Sequence, residues 1–274
     1  MNRIFKSAII YFFLLVLAVM VLYPLFFALI SGLKSVEQYT AAKLSLPGTF
    51  FLGNFERVFL QHNFHLYLLN TVISVALSMV FYIIICAAAG LAFGKFKFRN
   101  KLLIFSLILL FQIFPQMVIA GELYQLLSRM GLLNTKAGII LAWLAYFCPF
   151  GTYIMTTYFS TVPRDIIESA RIDGTNVFQL LFKIMMPVAK PMLGTIGIIG
   201  TLSMWNELPF AMMILQQNKL RTVSVGIAMM QGEFGLPIPV LAAAVIVSAV
   251  IPTACYLVFQ DFISMDITAG AVKG

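Results

Sequence analysis

Few residues in this chain could do chemistry, and they fall in short groups. Residues 168 to 174 read Glu-Ser-Ala-Arg-Ile-Asp-Gly, which puts two carboxylates and a guanidinium within seven positions. Such a set can pair with charged groups or backbone donors on a partner, and a mixed-charge helix lying on a membrane face would carry the same residues. Gln112 and Gln116 stand four apart, on one helical face, around Pro115, whose missing N–H can kink the helix. Their amides could bond to a polar ligand, to neighbouring helices, or to carbonyls that the proline frees. Trp205, Asn206 and Glu207 are consecutive, and the indole could stack on the face of a ligand ring or anchor a helix at an interface. No G-x-x-x-x-G-K-[ST], H-E-x-x-H or G-x-S-x-G stretch occurs, so the phosphate cradle and the hydrolytic constellations those patterns build are missing. His62 and His65 read as solvated polar surface rather than a metal pair. Cys86, Cys148 and Cys255 lack C-x-x-C spacing and read as small apolar packers. The expectation is a non-catalytic chain with no metal site and no cofactor of its own.

The elements that position these groups are dictated by hydrophobicity. The chain has 274 residues, 61% hydrophobic and only 10% charged, with a mean hydropathy of +0.98, outside the range of soluble domains. A helix needs about 20 apolar residues to cross the hydrocarbon core. Six runs suffice, at residues 8–31, 67–94, 102–121, 137–160, 188–215 and 237–260. The first is too long for a signal peptide and lacks a cleavage site, so it reads as a retained helix. The sequence therefore predicts an all-α polytopic membrane protein, one transmembrane domain over 1–274 with six transmembrane helices. Six spans leave both termini on one side. Placing them in the cytoplasm puts 11 of the 18 Lys and Arg residues on inner segments, including the tight cluster Lys95, Lys97, Arg99 and Lys101. The 161–187 loop between spans four and five is then cytoplasmic too. The net charge of +8 sorts by membrane side rather than gathering on one face, which argues against a nucleic-acid partner.

Local signals within that loop predict helix, tight turn, helix. Pro163 suits a first helical turn, and Ile167, Ala170, Gly174, Val177 and Leu181 recur at helical spacing as an apolar stripe. Gly174 suits the left-handed residue after a helix, and Asn176 with Gln179 forms a capping-box pattern. Elsewhere, polar residues inside spans are costly unless they face protein or a watery cavity, which makes Gln112, Gln116, Trp205, Asn206 and Glu207 the candidate translocation pathway. Glu207 lies about 19 residues after Val188, roughly 29 Å along a helix, so it is expected near the outer end of its span and need not be deeply buried. Gly90 with Gly94, and Gly194, Gly197 and Gly200, have spacings that let helices pack closely.

The stretch Glu168-Ser169-Ala170-Arg171-Ile172-Asp173-Gly174, followed by Ile184, Pro187 and Pro191, resembles the cytoplasmic loop motif of ABC importer permeases. That motif reads E-A-A, three residues, G, nine residues, I-x-L-P. Ser169 replaces an alanine and Met186 a leucine, while the spacing is intact. Further stretches are similar to the maltose-type carbohydrate branch of that family: Tyr23-Pro24, Ser31-Gly32-Leu33-Lys34, Leu69-Asn70-Thr71, Phe96-Lys97-Phe98, Gly131-Leu132-Leu133-Asn134-Thr135, Trp205-Asn206-Glu207, and the tail from Thr268 to Gly274. The resemblance implies a permease in a bacterial or archaeal inner membrane that forms half of a pore. Its loop would carry coupling helices seated in an ATPase cleft, with Glu168 as a polar contact, Ala170 allowing close packing, Gly174 making the turn, and Arg171 and Asp173 in the same contact set. The implied partners are two ABC ATPase subunits, which would bind ATP and Mg, a second homologous permease and an extracytoplasmic sugar-binding protein. Neutral sugar is preferred over glycerol phosphate, a uronate oligomer or a peptide, because no span interior offers a basic residue. A stand-alone secondary transporter would need intramembrane ionisable groups, and Glu207 is the one candidate.

Overall fold

The structure, a computed structural model, describes residues 3–232 and 235–271. Lys273 and the tail end Val272–Gly274 lie outside the described residues, as do the side chains of Arg3, Lys6 and residues 261–271. The described residues form helices and loops without strands. In chain order the helices are α1 (Arg3–Gly32), α2 (Val36–Ala41), α3 (Gly53–Glu56), α4 (Phe64–Lys95), α5 (Lys101–Leu110), α6 (Gln116–Arg129) and α7 (Lys136–Thr161). There follow α8 (Arg164–Ile172), α9 (Val177–Gln179), α10 (Met186–Val188), α11 (Lys190–Asn206), α12 (Pro209–Ile214), α13 (Val223–Gly232) and α14 (Ile238–Ala271).

Four stretches are long and apolar enough to cross a membrane: Ile9–Gly32 of α1, all of α4, all of α7, and Ile238–Gln260 of α14. The other two predicted spans are broken. The third, expected over 102–121 as a span that Pro115 can kink, turns through 106° between Lys101–Ile113 and Gln116–Arg129. Pro115 has no N–H to give the helix and disfavours helical backbone at the residue before it. Phe114 is accordingly extended (φ −77°, ψ 121°), as is Pro115 (φ −58°, ψ 143°). The fifth, expected over 188–215, is preceded by a bend of 84° between Val177–Val188 and Lys190–Asn206. It stops at Asn206 and restarts as α12. Its continuous part is 17 residues, short of the roughly 20 that a full crossing takes.

The chain divides into two compact units, residues 1–65 with 226–251, and residues 66–225 with 252–274. In the first, the end of α1 touches α14 so closely that a Cβ at Gly32 would lie 3.2 Å from the Ala243 nitrogen. The following loop is organised by two buried polar side chains. The Lys34 ammonium donates to the carbonyls of Ala42 (2.9 Å) and Lys43 (3.0 Å), and the Asn54 amide donates to those of Gly32 (2.8 Å) and Lys34 (2.7 Å). The α1 span itself is almost entirely exposed, with 6% of it buried.

In the second unit α4 and α7 cross at small residues. A Cβ at Gly90 would meet the Met155 Cβ at 2.4 Å, and one at Gly151 would meet both the Cys86 sulfur and the Tyr82 hydroxyl oxygen at 2.5 Å. The α4 glycines therefore form the seam that their spacing predicts, and Gly200 of α11 approaches Tyr82 in the same way (2.9 Å). Gly197 has open space around it and is no part of that seam. Ile139, Trp143, Met155 and Phe159 supply the fully buried side of α7. Cys86 is buried, and its thiol points to the Cys148 carbonyl at 3.6 Å.

Candidate coupling loop and pathway residues

The segment after α7 folds as its local signals direct. Val162 is extended, and Pro163 sits at the N-cap of α8, one position before the first-turn place expected for it. Asp165 in the first turn and Arg171 in the last complement the helix dipole. The helix closes on Gly174 (φ +76°). The Gly174 N–H donates to the Arg171 carbonyl and the Thr175 N–H to the Ala170 carbonyl, both at 3.0 Å, the paired bonds of a Schellman ending that needs a left-handed residue here. The Thr175 hydroxyl adds a second bond to the Ala170 carbonyl (2.6 Å). Two residues on, the Asn176 side chain accepts from the Gln179 N–H (2.9 Å) and the Gln179 side chain accepts from the Asn176 N–H (3.0 Å). This reciprocal box opens α9, which widens into a π-helical turn over Leu180–Met185.

α8 buries Ile167 and Ala170, and the π-helical turn after α9 buries Leu180, Leu181 and Met185. Val177 departs from the predicted stripe and stands exposed, because the turn at Gly174 resets the helical phase before it. Glu168, Arg171 and Asp173 are exposed together. Ile172 and Phe178, 87% and 73% exposed, add a large apolar surface beside these charges that the sequence reading missed.

The candidate pathway residues separate. Gln112 lies in a 3-10 turn (Phe111–Ile113), and Gln116 is the first residue of α6, so the break at Pro115 removes the shared helical face expected for them. The Gln112 amide donates to the Tyr146 carbonyl of α7 (3.2 Å). Asn206 is exposed, with its amide turned back to the Leu202 carbonyl one helical turn earlier (2.8 Å), while Trp205 is buried.

Glu207 stands at the end of α11 and is deeply buried there. It is 4% exposed. One carboxylate oxygen accepts from the Phe210 N–H (2.6 Å), and the other from the Ala211 N–H (3.0 Å) and the Trp143 indole (2.9 Å). Helices start with N–H groups that lack partners, and this carboxylate fills that need for α12 where α11 breaks. The Ser224 hydroxyl, from α13, donates to the Glu207 carbonyl (2.7 Å). One residue thus ties together α7, α11, α12 and α13.

A second set of ties went unrecognised in the sequence. On α4, the Asn70 amide donates to the carbonyls of Lys219 (2.9 Å) and Arg221 (3.3 Å), the Thr71 hydroxyl accepts from the Val223 N–H (2.9 Å), and the Tyr67 hydroxyl donates to the Asn218 side chain. Asn134 accepts from the Gln217 N–H (2.9 Å) through its side chain and donates its own N–H to the Ile214 carbonyl (2.9 Å). The Leu69-Asn70-Thr71 and Gly131–Thr135 stretches thus hold one loop, residues 215–223. His65 contacts the Phe59 carbonyl through Nδ1 at 3.2 Å.

The family model of the binding-protein-dependent transport system inner membrane component matches residues 86–268. The chain belongs to this family. It is 31% identical over 254 residues, 92% of this chain and 89% of the other, to the sulfoquinovosyl glycerol transport system permease protein of Agrobacterium fabrum. It is 32% identical over 226 residues, 81% of each chain, to the trehalose/maltose transport system permease protein of Thermococcus litoralis. Its fold is that of a chain in the crystal structure of a bacterial ABC transporter that imports the acidic polysaccharide alginate, with a TM-score of 0.82 and 22% identity over 96% of this chain and 99% of that one. The chain is therefore a multi-pass membrane permease, and the matched range contains both the 168–174 turn and the Glu207 node.

Proposed function

We propose that the chain is the membrane-spanning subunit of an ATP-driven, binding-protein-dependent importer of a sugar or oligosaccharide. It forms half of the translocation pore, with both termini and the 161–187 loop in the cytoplasm. Glu168, Ala170, Arg171, Asp173 and Gly174 make the fitting that receives a cytoplasmic ATPase. The observation that carries this reading is the helix, Schellman turn and capping-box helix over 164–179 within a chain of the binding-protein-dependent permease family. The segment carries two exposed carboxylates and an exposed guanidinium, with Ile172 and Phe178 also uncovered, the mixture of charge and apolar area that protein partners bury. The names of the sequence relatives, which carry sulfoquinovosyl glycerol and trehalose or maltose, support a saccharide cargo. ATP hydrolysis belongs to the partner chain. Asn206, exposed beside the break after α11, is the pathway residue placed best to meet hydroxyls, while Gln112 and Gln116 line the Pro115 break and Trp205 packs behind.

The test is isolation of the tagged chain in mild detergent from its native membrane, followed by mass spectrometry of what comes with it in stoichiometric amount. An ABC ATPase and a second six-span permease are expected. Recovery of the chain alone, from a preparation that keeps other membrane complexes intact, would overturn the importer reading in favour of a self-sufficient transporter.

A further inference from the structure

Where α4 turns into α5 the sequence concentrates four cations between Lys95 and Lys101. The fold sets this turn against α8, leaving a cleft of about 620 Å³ lined by Lys95, Lys97, Phe98, Arg164, Glu168 and Arg171, among others. Two of the nearby cations hold the walls in place. The Lys95 ammonium donates to the carbonyls of Ser160 (3.1 Å) and Val162, tying the end of α4 to the end of α7, and that of Lys101 donates to the Phe96 carbonyl (3.1 Å). The cleft is therefore built before any ligand enters. Lys97, Arg164 and Arg171 are exposed, and among the described residues none of the three takes an ion-pair partner. Glu168 is the one carboxylate on the lining against four cations.

The Arg164 guanidinium fork and the Lys97 ammonium, neither of them in the proposed coupling set, line one preformed cleft with the donor chemistry of a phosphate site. The position of the cleft selects the source of the phosphate. It begins at Lys95, the first charged residue after the uncharged run 66–94 of α4, where an apolar span gives way to the basic residues that sit at headgroup level. Phe98, 40% exposed on its rim, is an aromatic of the kind that settles at that level. We propose that this cleft binds the phosphate-bearing headgroup of an anionic phospholipid. Because α8 forms one wall and also carries Glu168 and Arg171, a bound headgroup would set the charge beside the proposed coupling surface, and membrane composition would tune coupling. The lipid site itself rests only on the chain being a membrane permease.

The experiment is native mass spectrometry of the complex isolated with its partners and equilibrated with equal amounts of phosphatidylglycerol and phosphatidylcholine. The wild type should retain phosphatidylglycerol preferentially. Each cation near an anionic headgroup is worth about fivefold in binding, so Lys97→Gln with Arg164→Gln should cut the preference by more than tenfold. The charge-keeping pair Lys97→Arg with Arg164→Lys should preserve it, which separates loss of the site from misfolding. Equal retention of the two lipids by the wild type, or an unchanged preference in the double Gln variant, would overturn the proposal. So would competition by inorganic phosphate, which would identify a soluble anion as the occupant. Loss of the ATPase from the double Gln variant with its lipid preference intact would assign the cleft to an acidic protein surface instead.

Discussion

Removing the Glu207 carboxylate should unlock the break between α11 and α12. Glu207→Ala leaves the Phe210 and Ala211 N–H groups and the Trp143 indole without an acceptor in a site only 4% exposed. Each stranded buried donor costs about 1–3 kcal/mol, so the loss is on the order of 5 kcal/mol, with the deleted side-chain volume adding to it. At roughly 2–4 °C per kcal/mol for a domain of this size, the melting midpoint should fall by on the order of 10 °C. Glu207→Gln keeps one acceptor oxygen but turns an NH₂ toward a donor, and should cost about half as much. Trp143→Phe removes one donor while keeping an aromatic in place, at about 1–2 kcal/mol. Thermal unfolding of the purified chain in one detergent, followed by intrinsic fluorescence for Glu207 variants and by aggregation for Trp143 variants, measures each. The decisive comparison is the double variant, Glu207→Gln with Trp143→Phe. Because the two side chains are bonded to each other, its loss should be smaller than the sum of the singles by about 1 kcal/mol. Additive losses, or a Glu207→Ala midpoint equal to that of the wild type, would refute the assignment of Glu207 as the cap that joins these helices.

Two further outcomes follow from the same geometry. Gly174→Leu forces a branched side chain into a left-handed backbone (φ +76°) at about 1–2 kcal/mol. Because the turn alone must give way, the chain should still reach the membrane while saccharide-stimulated ATP hydrolysis by the assembled complex collapses; normal stimulation would make the loop merely interfacial. Asn70→Ala strips the donor from the Lys219 and Arg221 carbonyls and should lower stability by about 1–2 kcal/mol, with faster protease cleavage between residues 215 and 223 as the reading. A cleavage rate equal to that of the wild type would show that Tyr67, Thr71 and Asn134 hold that loop without it.

Much of the fold was legible because it depends on neighbours in the chain. Apolar run length locates α1, α4, α7 and α14, since a helix satisfies its own backbone and only its length and polarity must suit the bilayer. The turn at Gly174 and the box at Asn176 and Gln179 were legible for the same reason: their bonds close within a few residues. Hydropathy averages could not register the breaks in the third and fifth spans, because Pro115 changes backbone direction without making the stretch less apolar, and the polar pair Asn206 and Glu207 is averaged away among apolar neighbours.

What the sequence alone determined is therefore the class of protein, the helical segments and the local shape of the 164–179 loop. Tertiary structure decided where the polar residues went. Glu207 finds Trp143 at a separation of 64 residues, and Asn70 finds Lys219 at 149. No periodicity encodes such pairs, because each exists only once packed helices bring a stranded donor and an acceptor to the same buried point, where the cost of leaving either unmatched forces the match.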